Sequence, residues 1–184
     1  TQAAIFAATE TWLDSLIGDG EASVPGYNVI RRDRDRNGGG VALYVKSDVT
    51  YNPRPDLSVD QLESLWIEVL LPRTRGILVG VLYRPPGDNE FLSKLEQTLP
   101  KIDQGKEVFI LGDLNIDLSH NSSTLASRYL GLLDLFNPSQ LVTEPTRVTP
   151  TSSTIIDHVV VNTKDVVRSV GVINSGLSDH LLTY

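Results

Sequence analysis

Glu10, Tyr83, Asp113, Asn115, Asp157, Asp179 and His180 are the side chains of this 184-residue chain that could share one reaction. Each closes or interrupts an apolar run, so loops gathered at one end of a sheet would bring them together. The chain has no cysteine, which excludes a disulfide framework, a thiolate metal site and a Cys nucleophile. Any metal must then be held by oxygen or by His. Carboxylates beside an imidazole describe a site for a hard dication, most naturally Mg²⁺ with Mn²⁺ as a substitute, next to a general base. That chemistry fits hydrolysis of a phosphate ester, in which a base deprotonates water while metal and neutral donors stabilise charge on the phosphorus oxygens.

The element that must position the central pair is Glu107 to Asn115, EVFILGDLN. Four apolar residues stopped by Gly112 read as a strand buried on both faces, with the polar residues at its carboxyl end. In extended chain, Asp113 and Asn115 at i and i+2 point to the same side and can serve one target. Ala3 to Ala8 reads as a strand running into Glu10, followed by a Gly- and Asp-rich loop over 14–25. Tyr27 to Arg31 and Val41 to Val45 read as strands. Leu62 to Leu71 alternates, with Leu65, Ile67 and Val69 on one side, as suits a sheet with one covered face. Gly76 to Leu82 is apolar and stops at Tyr83, Arg84 and two prolines.

Two segments carry helical spacing, 89–99 with Asn89 as N-cap and Pro100 closing it, and 124–136 with Leu125, Tyr129, Leu132, Leu133 and Phe136 on one side. Residues 141–150 are irregular. Ile155 to Val161 is a strand holding Asp157 and His158, and Val166 to Ile173 is the last full strand before Ser178, Asp179 and His180. Many short strands with few helices predict one α/β domain, a two-sheet β-sandwich with helices outside.

Composition bounds the rest. An apolar content of 40% and a mean hydropathy near zero suit a soluble globular domain, and no apolar stretch approaches the roughly 20 residues of a membrane span. No membrane partner is expected. The net charge of −7 is not that of a basic nucleic-acid binder, but Arg31, Arg32, Arg34 and Arg36 precede three glycines as a mobile basic loop, and Arg84 and Arg147 sit near strand ends. The absence of Met, position 1 included, reads as a fragment or processed chain.

ETW at 10–12, YRPP at 83–86, GDLN at 112–115, IDHVVV at 156–161 and SDH at 178–180 together resemble the endonuclease/exonuclease/phosphatase superfamily. More narrowly they resemble the apurinic-type endonuclease domain of non-LTR retrotransposons, LINE elements of the L2 or CR1 kind. The resemblance covers nearly the whole chain and implies a four-layer α/β/β/α sandwich. It implies that Glu10 ligates the metal with Asp179 close by, that Asp113 activates water, and that Asn115 orients Asp113 and contacts phosphate. His180 would donate to the scissile phosphate with Asp157 holding its imidazole, and Tyr83 would place a phenol near the phosphate or leaving oxygen. Arg84, Thr146, Arg147 and Ser178 would contact phosphate or DNA.

The implied activity is nicking of double-stranded DNA to expose a 3′-OH for target-primed reverse transcription. Its partner is the reverse transcriptase domain of the same polyprotein, and its place is the nucleus after synthesis in the cytoplasm. Such domains open with an additional Asn-bearing strand and close with another past the SDH motif, so the 1–184 chain is expected to be truncated at its start and slightly at its end. The Ala3 to Ala8 strand would then have an open edge prone to self-association. Two alternatives stand beside nicking, a phosphatase or phosphodiesterase of the same fold acting on other phosphate esters, and an inactive binding module.

Overall fold

The computed structural model describes residues 3–103, 105–119 and 123–184. Its strands are β1 (Ile5–Thr9), β2 (Tyr27–Arg32), β3 (Val41–Lys46), β4 (Tyr51–Pro53), β5 (Glu63–Val69), β6 (Ile77–Tyr83), β7 (Glu107–Asp113), β8 (Ser139–Gln140), β9 (Arg147–Val148), β10 (Ser153–Thr154), β11 (Asp157–Val161), β12 (Val172–Ile173) and β13 (Leu182–Thr183). Its helices are α1 (Phe91–Thr98) and α2 (Thr124–Phe136). A six-stranded sheet runs β4-β5-β6-β7-β11-β8 and faces a three-stranded sheet, β1-β3-β2. Between them lies an apolar layer in which Val41, Leu43 and Val45 meet Ile67, Val69, Val79 and Val81. The two-sheet sandwich is thus the fold that the strand pattern predicts.

Both helices pack on the other face of the large sheet. There Phe91, Leu92, Leu95, Tyr129 and Leu133 close over Trp66, Leu78, Leu82, Val108 and Ile110. β5 is therefore covered on both faces rather than one, because Trp66 alternates with Ile67 and lies against Gly80, where a Cβ would come within 2.6 Å of its ring. On the outer face of the small sheet the covering layer is a loop. Tyr44 donates to the carbonyl of Ala22 at 2.9 Å, and Arg31, paired with Asp19 at 2.7 Å, donates to that of Ile17.

Local signals explain the element ends. Ser123 caps α2 by accepting from the Ala126 amide at 3.0 Å, and Asn137 closes it in the left-handed region at φ 70°. Asn89 does not cap α1. The N-cap is Glu90, helical in backbone and without a side-chain cap, and Asp88 accepts from its amide at 2.8 Å. The last full strand expected over 166–173 shortens to β12, paired with β13 as a hairpin, since Val166 and Ile173 are exposed and have no sheet to cover them.

No helix among the described residues is long and apolar enough to cross a membrane.

Candidate active site

The site is built by strand direction. β6 and β7 run parallel, so Tyr83 and Asp113 arrive at the same end of the sheet. β11 runs antiparallel to β7 with Asp157 directly opposite Asp113, so Asp157 begins its strand where a sequence reading placed it inside one. Gly112 continues β7 instead of stopping it. Its φ of 149° favours glycine, and a Cβ there would fall 1.8 Å from the Leu82 carbonyl oxygen. Only a glycine lets the two parallel strands carry their polar ends this close.

Asp113, Asp157 and His180 place one ligand-type atom each within 4.8 Å of one another. His180 Nδ1 lies 3.1 and 3.2 Å from the two Asp157 oxygens, and that carboxylate, ahead of Asp113 and Asp179, raises the imidazole above its usual range. Burial first, and then the charge of Asp157, pushes the Asp113 carboxyl up to about 6. Such a carboxylate is poised to take a proton near neutral pH.

Glu10 stands just beyond β1 with φ 53°. Burial raises its pKa, but donors to both oxygens outweigh that and lower it overall. The Tyr83 hydroxyl donates to Oε1, while the Gly39 amide at 3.0 Å and the Trp12 indole at 2.5 Å donate to Oε2. A carboxylate offers about four lone-pair sites, so one on Oε1 stays free. Burial and Glu10 together hold the Tyr83 phenol protonated, with its proton directed at Glu10.

Other site residues sit differently from the sequence expectation. Asn115 is not in extended chain beside Asp113. At φ 48° its amide turns back to Asp113 Oδ1 at 3.0 Å, and its side chain donates to the Arg84 carbonyl at 2.9 Å. Arg84, expected on phosphate, is 4% exposed and donates to the carbonyls of Asp88 at 3.0 Å and Asn115 at 3.0 Å, tying the ends of β6 and β7 together. Thr146, also expected on phosphate, is fully buried and accepts the amides of Ile156 and Asp157 at 3.0 Å each, fixing the start of β11.

Ser178 is exposed and bonded to the His180 backbone. Asp179 faces Arg147 at 2.7 Å, outside the trio, and this ion pair holds its carboxyl low. His158 points away from the site, within reach of the Tyr129 hydroxyl at 3.2 Å and the Ile116 carbonyl at 3.1 Å, and burial keeps it neutral with a pKa of about 4.

Arginines of the basic loop are paired from within. Arg34 pairs with Glu63 at 2.8 Å, Arg36 with Asp14, and Arg32 donates to the Leu62 carbonyl at 2.7 Å. The Glu63 carboxylate also accepts the Gly40 amide at 2.7 Å, so the glycines present their backbone to Glu10. Sequence reasoning missed this use. Glu63 and Asp14 lie far from these arginines in sequence, so no local pattern points to the pairs.

A family profile, the Endonuclease/Exonuclease/phosphatase family, matches residues 2–180. The chain belongs to that family. No curated protein matches the sequence at a significant level. Among solved structures, the endonuclease domain of TRAS1, a telomere-specific non-LTR retrotransposon, is similar over 97% of this chain and 83% of its own, at 17% identity and a TM-score of 0.77. A 3′-5′ exonuclease (NExo) from Neisseria meningitidis is similar over 98% of this chain and 87% of its own, at 17% identity and a TM-score of 0.72. ANGEL2, a 2′,3′-cyclic phosphatase, is similar over 93% and 71%, at 13% identity and a TM-score of 0.59. At these identities the shared property is the fold.

The residues present fit a divalent cation. Burial first, and then the negative charge of Asp157 and Glu10, raises the Asp113 carboxyl, and a hard dication on oxygen donors relieves the charge part of that cost.

Proposed function

We propose that this family member is a divalent-metal-dependent DNA endonuclease that nicks duplex DNA by phosphodiester hydrolysis, a reading supported by its likeness to the endonuclease domain of TRAS1. The observation that carries the reading is Asp113, buried and pushed up to about 6, opposite an Asp157–His180 pair. In this reading Asp113 takes the proton of the attacking water, whose oxygen bonds to phosphorus as the bond to the 3′ oxygen breaks, and that oxygen leaves with a proton from solvent as the 3′-OH. His180, whose pKa Asp157 raises, donates to a phosphate oxygen. Asn115 turns its amide onto Asp113 and fixes the angle of the base, while Tyr83 orients Glu10. Glu10 through its free lone pair, with Asp179 once it leaves Arg147, would hold Mg²⁺ or Mn²⁺. An exposed ion pair of that kind is weak in water and gives way easily. When bound, the ion neutralises developing charge on the phosphate. The product 3′-OH would prime a reverse transcriptase domain of the same polyprotein in the nucleus.

Supercoiled plasmid tests this directly. With Mg²⁺ it should relax to open circles, and with a chelator it should stay supercoiled. The second reading, a phosphatase or phosphodiesterase on other phosphate esters, is favoured by the charge of −7 and the internally paired arginines. It requires intact plasmid together with phosphate release from a nucleotide or inositol phosphate. An inactive binding module requires intact plasmid, no phosphate release and no rise in melting temperature with Mg²⁺.

A further inference from the structure

Of the two tryptophans, Trp66 is 3% exposed inside the helical layer, whereas Trp12 is 56% exposed two residues from Glu10. Its place is tightly held. The backbone amide of Trp12 donates to the Gly39 carbonyl at 3.0 Å, that of Thr11 to Gly40 at 3.3 Å, and the indole N–H to Glu10 Oε2 at 2.5 Å. The backbone adopts φ 54°, a conformation that a bulky residue rarely takes. A strained, doubly anchored aromatic ring left half in water beside catalytic groups is unlike a scattered surface hydrophobe. A ring fixed before binding loses little freedom when a flat partner stacks on it.

We propose that Trp12 is a stacking surface for an unpaired nucleobase next to the phosphate at the site. The proposal rests on the nucleic-acid reading above and deepens it. Every base has a π-face, so stacking gives affinity without a sequence code and favours sites where a base is unstacked or easily flipped. Duplex DNA that opens readily beside the scissile bond is then the preferred substrate.

Two labelled ligands test it by fluorescence anisotropy: a short oligodeoxythymidine and a base-free deoxyribose-phosphate oligomer of the same length. Binding is measured with Mg²⁺ in the Asp113→Asn background, so that nothing is cut. The parent should prefer the base-bearing oligomer, which should quench Trp12 emission while enclosed Trp66 is unaffected. Trp12→Leu should weaken binding of that oligomer by roughly 5- to 100-fold and leave the base-free one unchanged. Trp12→Phe, which loses the indole N–H but keeps a ring, should retain most of the preference. If both variants weaken both oligomers alike, Trp12 acts only through Glu10 and the proposal falls. It falls equally if neither variant changes either affinity. If the Asp113→Asn parent binds neither oligomer and the wild-type protein leaves plasmid intact, the DNA reading itself is overturned, an outcome separable from the other two because in those the parent still binds DNA.

Discussion

Asp113 is a residue whose usefulness is a cost to the fold. Its pKa of about 6 against an ordinary 3.8 corresponds to about 3 kcal/mol of preference for the protonated form. Because the folded value is the higher one, this favours the native state fully below pH 3.8 and is lost as pH rises through about 6. Asp113→Asn keeps the shape and cannot ionise. In metal-free buffer the variant should therefore melt above the wild type at pH 7.5, with a difference on the order of 1–3 kcal/mol that closes below about pH 4. Thermal unfolding of the two proteins across that range checks it. Equal melting at pH 7.5 would mean that the carboxylate is solvated after all. With Mg²⁺ the gap should narrow, and Glu10→Gln should remove most of the stabilisation that Mg²⁺ gives, about 2.7 kcal/mol at a hundred times the dissociation constant for an intact site.

At the scale of elements, the site depends on how closely β6 and β7 approach and on what locks their ends. Gly112→Ala would place a methyl 1.8 Å from the Leu82 carbonyl at a φ that disfavours side chains. The expected loss is about 3 kcal/mol or more, read as a fall in the denaturation midpoint, and a neutral substitution would show that the strands can separate freely. This part of the design was partly legible in the sequence. The apolar run before Gly112 and the 3.6-residue spacing over 124–136 carry their own signals, and both elements stand where they were expected. The placements of Asn115 and Arg84 were not legible. A turn just past Asp113 cancels the alternation that would align Asn115 with it, and an arginine before two prolines reads as surface until the carbonyls of two loops are seen to converge on it. The 166–173 segment misled for the opposite reason, its valines suggesting a full strand, whereas Val170 and Val172 pack against the core while Val166 and Ile173 are exposed.

On the scale of the whole molecule, the charge balance is acidic, and Arg31, Arg32, Arg34 and Arg36 are engaged within the protein. DNA affinity should still fall with rising salt, but replacing Arg34 should act mainly by loosening the Gly38–Gly40 backbone around Glu10, lowering nicking more than binding. β1 pairs only with β3 among the described residues, so its other edge is open. Concentration-dependent light scattering should give a mass above the 20.2 kDa of one chain, and a constant monomer mass would refute self-association through that edge.

The central claim is that Asp113 is the base of a metal-dependent nicking site assembled from strand ends. Plasmid nicking with Mg²⁺ by the wild type and by Asp113→Asn, each first shown to be folded by its melting curve, tests it most directly. The account predicts that the folded variant loses activity by roughly 10²- to 10⁴-fold. A folded Asp113→Asn protein that nicks plasmid as fast as the wild type would contradict it.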